Sequence, residues 1–186
     1  HIDAFAEYQR AEAWTWEHQA LLHSRSVAGT PALRERFEQV RLEILTNHVR
    51  RETLREDVRS MRERMRSELA RAGEGEFDLK QDRGGIADIE FLAQYWALRW
   101  ARDYPPVAMY SDTIRQLESV GSAALVDHAV VDTLVDAYRK LREAAHRLAL
   151  EERRGIVDAS RFAVERQQVS RIWEQVMVAG EAAAAV

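Results

Sequence analysis

The stretch "RETLREDVRSMRERMRSELAR", residues 51–71, decides what kind of fold this sequence can take. Its apolar residues Leu54, Val58, Met61, Met65 and Leu69 fall at spacings of four, three, four and four. That is the period of one face of an α-helix, and it does not fit the two-residue alternation of a half-buried strand. The other positions are mostly Arg and Glu in alternating sign, with pairs such as Arg59 and Glu63 one turn apart. Alternating charge reads as a solvated helix face supported by neighbouring pairs rather than as a face for nucleic acid. The two methionines read as core filler.

Working outward, the same period recurs on both sides. Thr30-Pro31 supplies a cap followed by a proline at the first helical position, where its missing N–H costs nothing, and predicts a helix with Leu33, Phe37, Val40, Ile44 and Leu45 as its stripe. Before it, Asp3 to about Ala28 contains no breaker and predicts one long helix closed by Gly29. After residue 71, "RAGEGEFDLKQDRGG" is the main non-helical segment, with "EFDLK" the only short strand candidate. Helix resumes near Ile86 and stops at "DYPP"; Ser111 or Asp112 caps a short helix ending at Gly121. A long helix is expected from 123 to about 151, broken by Gly155, and a last one from about Ser160 to Val178, with the tail "AGEAAAAV" fraying. The expected architecture is all-α, a single domain over residues 1–186 built as a bundle of six or seven mostly antiparallel helices.

Composition narrows the function classes. A net charge of -4 and a pI near 5.9 argue against generic nucleic-acid binding, which needs a surplus of cations to neutralise phosphates. All but two of the 27 basic residues are arginine, so Lys80 and Lys140 stand out. The chain has no cysteine, which excludes disulfides, thiolate metal sites and cysteine nucleophiles and allows a cytoplasmic location. No apolar run approaches the roughly 20 residues needed to span a bilayer, so no membrane partner is expected. The chain opens inside an amphipathic pattern without an initiator Met, and a piece of a longer protein is expected.

Common catalytic motifs are absent: there is no G-x-x-x-x-G-K-[ST], no H-E-x-x-H and no G-x-S-x-G. The six histidines form no ligand pattern, and His18 and His23, five apart, are a poor helical pair. What remains is "FDLKQDRGGIADIEF", residues 77–91. Gly84 and Gly85 permit positive φ and precede a helix whose first N–H groups and dipole favour an anion. Lys80 and Arg83 on the entering segment are candidate phosphate contacts, and Asp88 and Glu90 open the helix. The competing reading is structural, with Gly-Gly making a tight turn and Asp88 complementing the helix dipole. A second cluster, "EAWTWEHQAL" at 12–21, holds Trp14 and Trp16 two apart on the expected helix, so one is expected inside and one near a surface; Glu17 and Gln19 point apart likewise. An exposed Trp there is suited to docking a partner.

Taken together, "FAEYQRAEAWTWEHQALLHSRSVAG" and "FDLKQDRGGIADIEFLAQYWALRWA" resemble signature segments of the glutamine synthetase adenylyltransferase family. Weaker similarity continues through "YSDTIRQLESV", "YRKLREAAHRLALEE" and "RFAVERQQVSRIWEQVM", covering nearly the whole chain. The resemblance is to the helical domain of the C-terminal, adenylylating half, which follows a nucleotidyltransferase domain. It implies a parent enzyme that uses ATP and Mg2+ to place AMP on a tyrosine of glutamine synthetase, under control of a PII-type signal protein. The metal-binding Asp-x-Asp of such enzymes has no counterpart here. Asp88-Ile89-Glu90 is the nearest approach, and on a helix its carboxylates diverge by about 200°. No catalytic or metal-ligating residue is therefore expected in this chain, and neither ATP nor Mg2+ is expected to bind tightly to it alone. Lys80, Arg83, Gly84 and Gly85 become candidate nucleotide or phosphate contacts. Asp88, Glu90, Trp14 and Glu17 become candidate partners to the adjoining domain or supports of the site. The alternatives are a pure interaction module for glutamine synthetase or the PII-type protein, and the helical domain of the adenylyl-removing half or of the PII uridylyltransferase.

Overall fold

A computed structural model of the chain describes residues 1–180, which divide into two compact units. The first comprises residues 1–58 and 93–120; the second comprises residues 59–92 and those from Gly121 onward. The class is all-α, with eight α-helices among the described residues and one two-stranded sheet. None of the described helices is long and apolar enough to cross a membrane.

In the first unit, α1 (Ile2–Ala11), α2 (Thr15–His23) and α3 (Pro31–Asn47) carry the N-terminal third of the chain. The expected long helix from Asp3 to Ala28 is broken after Ala11. Trp14 adopts an extended backbone (φ -88, ψ 163), and the Glu17 carboxylate accepts its N–H at 2.8 Å. This is half of a capping box, a local bond that competes with helix continuation although no Gly or Pro is present. The break raises the helix count to eight, above the six or seven expected. The start of α3 is as expected: Thr30 Oγ1 accepts from the Leu33 N–H at 3.3 Å, with Pro31 leading the helix. Val40, Ile44 and Leu45 are buried where α3 packs on α1, α2 and a 3-10 turn, Pro105–Ala108.

α4 (Leu54–Leu69) carries the opening stretch. Leu54 and Val58 are buried, Met61 and Met65 are only half-buried and Leu69 is exposed, so the methionines are not the core filler the spacing suggested. α5 (Ile86–Trp100) is different: from Ile86 to Leu98 every residue except Glu90 is buried. Burial extends around the helix and takes in the polar Asp88 and Gln94 as well as the apolar residues. α6 (Thr113–Ser122) is capped by Asp112, whose Oδ1 accepts from the Arg115 N–H at 2.9 Å.

In the second unit, β1 (Glu76–Asp78) pairs antiparallel with β2 (Ile156–Asp158), placing Phe77 opposite Val157. β1 lies within the strand candidate; β2 was not anticipated, because three residues after a glycine show no period. α7 (His128–Leu150) begins later than residue 123, since Ala124 takes a positive φ of 53° and Asp127 Oδ1 caps the helix through the Ala129 N–H at 2.7 Å. α8 (Ala163–Trp173), packed on α7, likewise starts after the expected Ser160 because Phe162 is left-handed at φ 59°, and it continues as a π turn, Glu174–Val178. Of the tail expected to fray, residues 179–186, all but the first two residues lie outside the described residues.

Candidate functional site

The segment from β1 to α5 is a tightly folded loop built by aspartates. Asp78 Oδ1 accepts the N–H groups of Lys80 and Gln81, each at 2.9 Å, and Asp82 Oδ2 accepts that of Asp78 at 2.8 Å. Such Asx bonds fix the turn from its own side chains. Gly84 has φ +76°, and a Cβ there would lie 2.3 Å from the Arg166 carbonyl oxygen. A Cβ on Gly85 would lie 2.9 Å from the carbonyl oxygens of Leu79 and Asp82. The first glycine lets the turn press against the backbone of α8; the second lets it close on itself.

The N–H groups at the start of α5 all have partners within the chain. Gly84 donates to Asp88 Oδ2 at 2.7 Å, Gly85 to Asp82 O at 3.0 Å, Ile86 to Leu79 O at 2.9 Å and Ala87 to Lys80 O at 3.1 Å. With the helix start buried and its donors engaged, the charge this loop offers outward is that of its exposed side chains, Lys80 and Arg83.

Asp88 is buried against an equally buried Arg62 of α4. Arg62 Nε donates to Asp88 Oδ1 at 2.7 Å and Nη2 donates to Gln81 O at 2.7 Å. Arg62 thus ties α4 to the loop, and Asp88 ties the loop to α5. Burial pushes the Asp88 carboxyl above its usual range, opposed by the Arg62 guanidinium and the Gly84 N–H; burial also lowers Arg62. The two groups are held by mutual charge and by charge-assisted hydrogen bonds, and neither is accessible to a ligand.

The other candidates are dispersed. Arg83 reaches Glu63 at 3.7 Å and Glu174 at 3.8 Å. Glu90 accepts from the Tyr138 hydroxyl at 3.2 Å, on a different side of α5 from Asp88. Trp14 and Glu17 belong to the first unit. Glu17 Oε1 accepts from the Tyr8 hydroxyl at 2.8 Å while its other oxygen caps α2. Trp14 and Trp16 are 62% and 50% exposed, so the expectation that one is inside fails: Trp14 is the extended cap residue outside α2, so the two do not occupy opposed positions of one helix. Arg50 stacks 5.7 Å from the Trp14 ring centre.

With this geometry in view, the kinship of the chain is informative. Residues 54–157 match the family model described as GlnD PII-uridylyltransferase, and residues 1–40 match that described as Glutamate-ammonia ligase adenylyltransferase. Proteins named bifunctional glutamine synthetase adenylyltransferase/adenylyl-removing enzyme are similar along nearly the whole chain. The one from Hahella chejuensis is 47% identical over 94% of it, and the one from Thioalkalivibrio sulfidiphilus 45% identical over 97%. The chain belongs to the glutamine synthetase adenylyltransferase family. It spans 19% of the length of either relative.

Arg62, the glycine turn and Asp88 lie in the stretch matching the uridylyltransferase model, Trp14 and Glu17 in that matching the adenylyltransferase model. Among the described residues no three His, Asp or Glu side chains group as ligands, and Asp88 is already engaged by Arg62 and Gly84. Sequence reasoning missed Arg62, which it placed on the solvated face of α4. The signal was present: Arg62 lies four residues after Val58 and eight after Leu54, on the buried stripe.

Proposed function

We propose that this chain is the helical domain of the adenylylating half of a glutamine synthetase adenylyltransferase. In the parent protein it packs beside a nucleotidyltransferase domain in the cytoplasm, where AMP passes from ATP to a tyrosine of glutamine synthetase. The observation that carries the site reading is the exposure of Lys80 and Arg83 on a loop whose backbone is pinned by Arg62 and Asp88. A cation on a fixed loop keeps its position when a phosphate arrives, so little ordering entropy opposes the contact. ATP and Mg2+ supply the transferable AMP and the charge neutralisation in the parent; from this chain the reading draws only phosphate contacts by Lys80 and Arg83. Adenylylation assays with the full-length enzyme test it. Lys80→Ala is expected to raise KM for ATP or lower kcat with melting unchanged, and full activity at low ATP argues against the cleft role.

The second reading is an interaction surface for glutamine synthetase or the PII-type protein. It is favoured by Tyr8, Trp14 and Trp16, three exposed aromatics close together in the chain. Aromatic side chains of this kind dominate protein interfaces. Loss of glutamine synthetase binding in Trp14→Ala and Trp16→Ala, with Lys80→Ala fully active, supports this reading over the first.

A further inference from the structure

Two clefts in the second unit are rich in cations, and they differ in how those cations are engaged. The larger, about 310 Å³, is lined by Lys140, Arg147, Arg153 and Arg161 among others. Three of these already have close carboxylates: Lys140 with Glu165 at 2.7 Å, Arg147 with Glu143 at 2.7 Å and Arg153 with Glu151 at 2.9 Å. An anion entering there must displace short charge-assisted bonds.

The smaller cleft, about 260 Å³, is lined by Arg83, Ala163, Arg166, Gln167 and Ser170, between the glycine turn and the first turns of α8. Four of these five residues carry hydrogen-bond donors and none is a carboxylate. Arg166 is held in place: its guanidinium stacks 4.1 Å from the Phe77 ring centre and donates to Ala159 O at 3.3 Å. Arg83 makes only long ion pairs, to Glu63 at 3.7 Å and Glu174 at 3.8 Å, which an anion can displace without breaking a short charge-assisted hydrogen bond. Gln167 and Ser170 make no side-chain hydrogen bond among the described residues. A Cβ on Gly84 would come within 2.8 Å of Ser170 Oγ, so the glycine that packs the turn on α8 also leaves this hydroxyl room.

We propose that Arg83, Arg166, Gln167 and Ser170 form a binding site for a phosphoryl group. Two guanidiniums, an amide and a hydroxyl around a small open cleft match the acceptor-only oxygens of a phosphate, and the lining offers no donor set for a metal cation. The inference rests on the reading of Arg83 as a phosphate contact and extends it to α8, which that reading does not involve.

The test is calorimetric titration of the purified chain at low salt with inorganic pyrophosphate, with ATP, and with adenosine. Pyrophosphate and ATP are expected to bind and adenosine not to, because the recognised chemistry is the phosphoryl oxygens. Gln167→Glu places a carboxylate at an exposed position, where it repels the ligand without disturbing the core; affinity for pyrophosphate is expected to fall about ten-fold or more. Arg83→Gln is expected to act in the same direction, and both variants are expected to melt with the parent. Equal binding of adenosine, no saturable pyrophosphate binding, or affinity untouched by Gln167→Glu overturns the site, whatever Lys80→Ala does to AMP transfer. Conversely, binding lost in Gln167→Glu beside normal transfer in Lys80→Ala upholds the site and sinks the nucleotide-cleft role.

Discussion

At the scale of single residues, the buried pair Arg62 and Asp88 and the missing side chain of Gly84 hold the loop. Gly84 combines a positive φ with a virtual Cβ only 2.3 Å from a backbone oxygen of α8. Gly84→Ala is therefore expected to cost about 2–5 kcal/mol, the sum of a strained backbone and an overpacked contact. Thermal melting is the check, and a variant that melts with the wild type contradicts the packing role. Arg62→Ala strands the buried Asp88 carboxylate and is expected to cost about 3–5 kcal/mol. A joint replacement by apolar residues, Arg62→Met with Asp88→Leu, is expected to cost less than either single truncation, which a double-mutant cycle in urea will show. The glycines were legible in the sequence as a turn before a helix and Asp88 as a first-turn acid, the residue type a helix dipole favours. Arg62 was hidden because charge was read as exposure, although its position on the Leu54–Val58 stripe pointed inward.

At the scale of elements, long apolar periods were legible and local hydrogen-bond competition was not. α3 began where Thr30-Pro31 said it would, and α5 read as helix because Ile86, Ile89, Phe91, Leu92, Tyr95, Trp96 and Leu98 follow one another with no breaker before "DYPP". The break between α1 and α2 depends on one carboxylate reaching back to the Trp14 N–H, an event with no composition signature. Glu17→Ala is expected to lower stability by about 1 kcal/mol through loss of this cap, and Glu17→Gln, which keeps an acceptor, to recover much of it. Equal melting of both variants with the wild type argues that the break has another cause. β2 escaped notice for a similar reason: a three-residue strand is defined by its partner, Glu76–Asp78, and not by its own period.

At the scale of the whole molecule, the fold ties its stability to pH through a buried histidine. His18 is enclosed in the first unit, with Nε2 at 3.2 Å from the Gln9 carbonyl oxygen, and burial lowers its pKa below the ordinary histidine value. The folded chain therefore takes up this proton less readily than the unfolded one. The stability it contributes is complete above about pH 6.5 and is lost as pH falls below that value toward the depressed folded pKa. Urea midpoints at about pH 7.5 and about pH 5.5 are expected to differ more in the wild type than in His18→Gln, which cannot take a proton. Equal differences contradict this assignment.

The family was legible at this scale because two segments of the chain resemble its signature segments, whereas the role of the domain depends on surfaces that no local pattern marks. The phosphate-contact role proposed for Lys80 and Arg83 rests on a glycine turn that pins the backbone beneath two exposed cations. Its most direct test is AMP transfer to glutamine synthetase by the full-length enzyme carrying Lys80→Ala and Arg83→Ala, measured beside its melting temperature. With both side chains removed, kcat/KM for ATP is expected to fall about ten-fold or more, with melting unchanged because both are exposed. Transfer at the rate of the unsubstituted enzyme contradicts it.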